Sequence, residues 1–117
     1  MSEIIAINVY QIIGKELCIE AADGKIVYNV LEKYIESDQK VTVSFQNITL
    51  ITSSFLNNAV GLLLKNNTEE KIRELIEFKD LQPADKILMD HVIENAKLYY
   101  SDTERMEKLA KEIMEEE

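Results

Sequence analysis

The 117-residue chain has no tryptophan, one cysteine, one histidine, one proline and three glycines. Each scarcity removes a class of chemistry. A lone Cys18 cannot form an internal disulfide, which points to a reducing compartment, the cytoplasm. Cys18 and His91 are too few for a Cys/His metal site, so no metal and no cofactor are expected. Gly14, Gly24 and Gly61 are too scattered for a Gly-rich phosphate loop, and neither a P-loop nor a G-x-G-x-x-G occurs. Positive charge is also scarce. Thirteen Lys+Arg face 22 Asp+Glu, a net charge of −9. That balance disfavours a phosphate backbone and an anionic membrane surface, so neither nucleic acid nor membrane is an expected partner. No apolar run approaches the ~20 residues of a membrane span. The start, Met1 to Ile5, lacks the basic segment and small-residue cleavage site of a signal peptide.

What is present is 46% hydrophobic and 30% charged residues, the composition of one globular domain. A chain of this length buries about two-thirds of its extended surface, enough for one core. The β-branched density of Ile4 to Ile13, a turn at Gly14-Lys15 and the apolar Leu17-Cys18-Ile19 predict an N-terminal β-hairpin over residues 4–21. Asp23 is a suitable N-cap. Ile26, Val27, Val30, Leu31, Tyr34 and Ile35 then form the buried stripe of an amphipathic helix over about residues 24–36. Val41, Val43 and Phe45 alternate as in a strand, which is expected to be central because it leads into the most apolar helix, about residues 54–65. Asn67 and Glu70 have capping-box form. Leu75 to Phe78 reads as a strand. Pro83 suits the first turn of a helix running to about Tyr100. Ser101 and Glu104 form a second capping box before a last helix of about residues 103–115 with the stripe Met106, Leu109, Ala110, Ile113 and Met114. Strands alternating with helices predict an α/β fold: a mixed sheet with right-handed parallel crossovers, packed by helices, plus a C-terminal amphipathic helix.

One segment carries more. Residues 41–64 run from Val-Thr-Val-Ser-Phe through Gln-Asn-Ile-Thr-Leu-Ile-Thr-Ser-Ser-Phe into the apolar helix. This resembles the middle of a STAS domain, the fold of bacterial anti-sigma-factor antagonists, in which a strand, an apolar loop and a D-S-[ST]-G turn precede a buried helix. It is closer still to STAS-like bacterial proteins in which Ser-Ser-Phe replaces the Ser-Gly turn. Val41, Phe45, Ile51, Ser53, Ser54 and Phe55 are the matching positions. The resemblance implies a STAS-like domain over residues 1–100, with residues 101–117 as an acidic amphipathic helix packed on it or extending from it. It also implies a non-enzymatic switch whose partner is an anti-sigma factor of the GHKL-ATPase kind. That partner would phosphorylate a Ser at the start of the buried helix. Carried across, Ser54 takes the acceptor position and Ser53 lies beside it, with Thr52, Asn57 and Asn58 as candidate partner contacts. A phosphate adds nearly two negative charges beside the docking surface. The helix N-terminus offsets part of that charge, by about 0.3–1 kcal/mol, whereas an apolar or acidic partner surface offsets none. The expected result is a weaker complex around a folded domain. The sequence departs from the family turn at two positions, Thr52 in place of Asp and Phe55 in place of Gly.

Simpler roles stand beside these. Thr52-Ser53-Ser54 is also a good N-cap run. Phe55 and Leu56 suit the core, and Asn57-Asn58 suit a solvated face. His91 beside Asp90 lacks an evident nucleophile and reads as a structural histidine. Cys18 reads as a small buried hydrophobe. The last helix either packs on its own domain or docks on a partner or a second copy, so a homodimer is a second expectation. Its charge is distinctive. Residues 102–117 hold seven acids and three bases, 3 − 7 = −4, which leaves −5 for the other 101 residues. A partner of this helix would be basic.

Overall fold

A computed structural model describes residues 3–115 of the chain, with side chains described up to Ser101. The elements in order are β1 (Ile5–Asn8), α1 (Val9–Ile13), β2 (Leu17–Cys18), α2 (Ala21–Glu36), β3 (Val41–Ser44), β4 (Leu50–Ile51), α3 (Ser53–Ala59), a 3-10 helix (Gly61–Lys65), α4 (Glu69–Leu75), β5 (Ile76–Lys79) and α5 (Pro83–Glu115). The α/β class, the packing helices and the C-terminal helix are as the sequence predicts. The N-terminal hairpin is not formed. The Asn8 side chain accepts a hydrogen bond from the Gln11 N–H at 3.1 Å and caps α1. Gly14, at φ 70°, closes the same helix by donating its N–H to the Tyr10 carbonyl at 2.8 Å. Two caps six residues apart thus impose a helical turn on a β-branched run that propensity alone assigns to a strand.

Nor is the sheet mixed, because every strand pair among the described residues is parallel. One sheet has the order β1-β3-β5, with β3 central as expected, and in-register rows such as Ile7-Val43-Phe78. The second is the pair β2-β4, with Leu17 opposite Leu50 and Cys18 opposite Ile51. Val41, Val43 and Phe45 are buried, so the alternation in β3 is that of a face covered by helices.

α2 begins three residues before the predicted start. Asp23 is therefore not its cap but a buried carboxylate in its first turn, paired with Lys15 at 2.8 Å. Val27, Leu31 and Ile35 bury the stripe, while Ile26 is exposed. Gly24 lies directly against α3. A Cβ there would overlap the Phe55 carbonyl oxygen and come within 3.1 Å of Asn58 Cβ and 3.2 Å of the Ala59 nitrogen. The absent side chain is what lets the two helices approach this closely. Phe55 and Leu56 reach complete burial in that contact, about 1.5–3 kcal/mol of stabilisation for each.

The predicted helix over 54–65 divides into α3 and the 3-10 turn at Gly61, which sits against Val92 and Ala96 of α5. Thr68 caps α4 by accepting from the Lys71 N–H at 3.1 Å. Asn67, the predicted cap, instead donates to the Leu63 carbonyl at 2.9 Å. α5 is one helix of 33 residues: the chain stays helical through Ser101, so the Ser101/Glu104 box opens no new helix. Among its residues with described side chains, Met89, Val92 and Ile93 are buried, with Ala96 and Tyr100 packed beside them. The stripe from Met106 to Met114 lies outside the described side chains.

Candidate functional site

The site begins with Thr52, which joins β2 to the start of α3. Its backbone N–H donates to the Cys18 carbonyl at 3.0 Å. Its hydroxyl oxygen accepts from the Phe55 N–H at 3.2 Å, the N-cap bond. The same hydroxyl donates toward the Ile19 carbonyl at 3.0 Å, with the Cys18 carbonyl at 3.3 Å. One side chain thus caps the helix and anchors it to the neighbouring strand. A carboxylate at this position could only accept, so Thr52 has a specific consequence: its hydroxyl also donates and adds the strand anchor.

The next two residues open α3. Ser53 and Ser54 are both exposed in its first turn. Phe55 and Leu56 turn inward and fix the orientation of the turn that carries the serines. Asn57 is exposed and Asn58 is half-buried beneath Gly24, where its amide donates to the Ser54 carbonyl at 3.0 Å. The five candidate residues therefore fall on one short segment, with two hydroxyls free toward solvent. Asn57 lines a groove of about 390 Å³ together with Asn95, Tyr99 and Tyr100 of α5.

Three residues that the sequence reading did not connect lie next to this segment. Leu17, Ile19 and Leu50 are 43%, 40% and 49% exposed. Leu17 and Leu50 are register partners in the parallel pair, so their side chains project from one face. Ile19 follows β2 directly, and its carbonyl accepts from the Thr52 hydroxyl at the start of the serine turn. The signal was present in the alternation Leu17-Cys18-Ile19 and Leu50-Ile51-Thr52, but only the pairing of β2 with β4 brings the two runs together.

Other titratable groups make defined contacts within the fold. The Cys18 thiol is fully buried, and desolvation, with Asp23 nearby, pushes its pKa up to about 12. It is a core side chain rather than a nucleophile. Asp23 holds Lys15, whose pKa rises through that hydrogen bond. Glu69 accepts from Lys97 at 2.8 Å and from Arg73 at 2.7 Å, and both hold its carboxyl below the usual range. Arg73 also reaches Asp90 at 3.3 Å, tying α4 to α5. His91 is exposed on α5. Among the described residues no group of three or more His, Cys, Asp or Glu side chains could hold a metal ion. None of the described helices is long and apolar enough to cross a membrane.

A family model described as a STAS-like domain of unknown function (DUF4325) matches residues 23–86, from the first turn of α2 to the first turn of α5. The matched stretch contains β3, β4, the whole Thr52–Asn58 segment and β5. No curated protein and no solved structure matches the chain.

Proposed function

The chain belongs to this STAS-like family, and from that premise we propose that it is a non-enzymatic regulatory module that binds a protein partner through the start of α3. The observation that carries the reading is the placement of Ser53 and Ser54. Both hydroxyls are exposed on a turn whose geometry is set by Thr52 on one side and by the buried Phe55 and Leu56 on the other. A phosphate on Ser54 sits in the first turn of a helix, where its charge is tolerated by the domain. A partner covering both the start of α3 and the exposed Leu17, Ile19 and Leu50 would have to desolvate that phosphate. Modification therefore weakens docking without unfolding the domain. The partner in this reading is a GHKL-type ATPase acting as an anti-sigma factor, and the module works in the cytoplasm.

The test is incubation with ATP and a candidate GHKL-type ATPase, followed by mass spectrometry. Phosphate on Ser54 or Ser53 is expected, together with a complex that dissociates on modification. Absence of both binding and modification removes this reading.

A second reading is favoured by the continuity of α5, which runs to Glu115, well past its last packed residue Tyr100 among those described. The extension would pair with a second copy, as an assembly helix. Light scattering on the full chain and on a chain ending at Ser101 separates the two: only assembly through the helix gives a dimer that the truncation abolishes.

A further inference from the structure

The two edges of the three-stranded sheet are unlike. On the β5 edge Glu77 and Lys79 are exposed, and charges of this kind keep an edge strand from pairing with another chain. The β1 edge has no such protection. From Ile4 to Ile13 no residue is charged, in a chain that is 30% charged. The Ile5 N–H donates to the Lys40 carbonyl at 3.0 Å, so the backbone groups of Ile5 and Ile7 serve the pairing with β3. Successive backbone groups of a strand point to opposite sides, so those of Ile4, Ala6 and Asn8 point outward. Among the described residues, no backbone group or strand pairs with Ala6 on that side. Ala6 is exposed and Ile4 is 62% exposed, so the edge is open to solvent. Ile5 and Ile7 are only half-buried, although their register partners Val41 and Val43 are fully inside.

We propose that β1 pairs antiparallel with β1 of a second copy about a two-fold axis at Ala6, joining the two three-stranded sheets into one. The strand is complementary to itself in this register. Ala6 lies opposite the second copy's Ala6, each donating its N–H to the other's carbonyl. The Asn8 N–H meets the second copy's Ile4 carbonyl, while the Asn8 carbonyl belongs to the first turn of α1. On the helix-covered side, Ile5 falls opposite the second copy's Ile7 in a closely spaced pair, where β-branched side chains pack well. No other centre uses all three outward residues. No charges meet between the paired strands, although each copy carries −9, and this singles out a second copy as the occupant. The net charge still opposes approach at long range, so salt strengthens the dimer. The paired segment is short, so the dimer is weak and is populated above about 100 μM. This surface is separate from the extension of α5.

The test is sedimentation velocity on the full chain from about 10 μM to about 1 mM at low and high salt. A dimer that grows with concentration and with salt is expected. Ala6→Pro removes the outward N–H and no hydrogen bond within the sheet. Ala6→Lys sets two like charges face to face, even though it lowers the net charge of each chain. Each variant should raise the dissociation constant at least about tenfold, with circular dichroism unchanged. Should proline disturb the strand itself, the lysine variant still decides, because the Ala6 side chain is exposed. A chain that stays monomeric to about 1 mM at high salt overturns the proposal. So does a dimer that the lysine variant forms equally well, the result expected of pairing through α5. Neither result depends on whether Ser54 is ever modified, so failure here and failure of the phosphorylation test are separate.

Discussion

Replacing Thr52 with Asp separates two accounts of the start of α3. If Thr52 were only a helix cap, Asp would be at least as good, since Asp ranks with or above Thr at that position. Its charge would add about 0.3–1 kcal/mol through the helix dipole. The structure requires more of the side chain. The Thr52 hydroxyl accepts from the Phe55 N–H at 3.2 Å and donates toward the Ile19 carbonyl at 3.0 Å. Asp retains the first bond and loses the second, a loss of about 0.5–1.5 kcal/mol. It also sets a carboxylate against the Ile19 and Cys18 carbonyl oxygens, a repulsion of similar size in a half-buried setting. Set against the dipole gain, the net expectation is destabilisation by about 1–2 kcal/mol. Thr52→Val loses cap and anchor together and costs about 1.5–3 kcal/mol. Thr52→Ser keeps both bonds and stays within about 1 kcal/mol of the wild type. Urea unfolding followed by circular dichroism reads these differences as midpoint shifts of about 0.5–1.5 M for Asp. A Thr52→Asp protein as stable as the wild type, or more stable, would refute the anchoring argument.

Gly24→Ala gains about 1 kcal/mol of helix propensity, yet its methyl would overlap the Phe55 carbonyl. Overpacking against fixed backbone outweighs that gain, so a net loss of about 1–2 kcal/mol and a lower Tm in calorimetry are expected; a stabilised variant would mean that α2 and α3 separate freely. Glu69→Gln tests the contacts of Glu69 with Arg73 and Lys97 by pH. The folded-state pKa of Glu69 is lowered from 4.5, so its contribution is complete above that value and is lost as pH falls through the depressed one. Wild type and variant should differ by under about 1 kcal/mol at pH 7 and converge in acid; a gap that widens in acid contradicts the assignment. Cys18, with its pKa near 12 and no exposed surface, should resist a disulfide reagent at pH 8 in the native protein and react fully on unfolding.

The legible parts of the sequence were those where one local signal dominates. The alternation Val41-Val43-Phe45 marks β3 because every second residue meets the helices, and Pro83 with the following stripe marks α5. The Ser-Ser-Phe segment announced the family, which the match over residues 23–86 now shows. The misread parts are those settled by partners distant in the chain. Ile4 to Ile13 looks like one strand until Asn8 and Gly14 cap its second half. Leu17 to Ile19 looks like a hairpin arm, but its partner is β4, more than 30 residues on. The exposed apolar face of β2 and β4 was invisible for the same reason: Leu17 and Leu50 each look like ordinary strand residues, and only their register makes them neighbours. Thr52 read correctly as a cap, while its bond to Ile19 depends on that same pairing.

The most direct test of the regulatory reading is the affinity of a GHKL-type ATPase for two forms of this chain, unmodified and carrying phosphoserine installed at Ser54. Titration calorimetry at one salt concentration measures both. The account predicts a complex with the unmodified form that weakens at least about tenfold on phosphorylation, with the circular dichroism of the two forms unchanged. Equal or tighter binding of the phosphorylated form would contradict it.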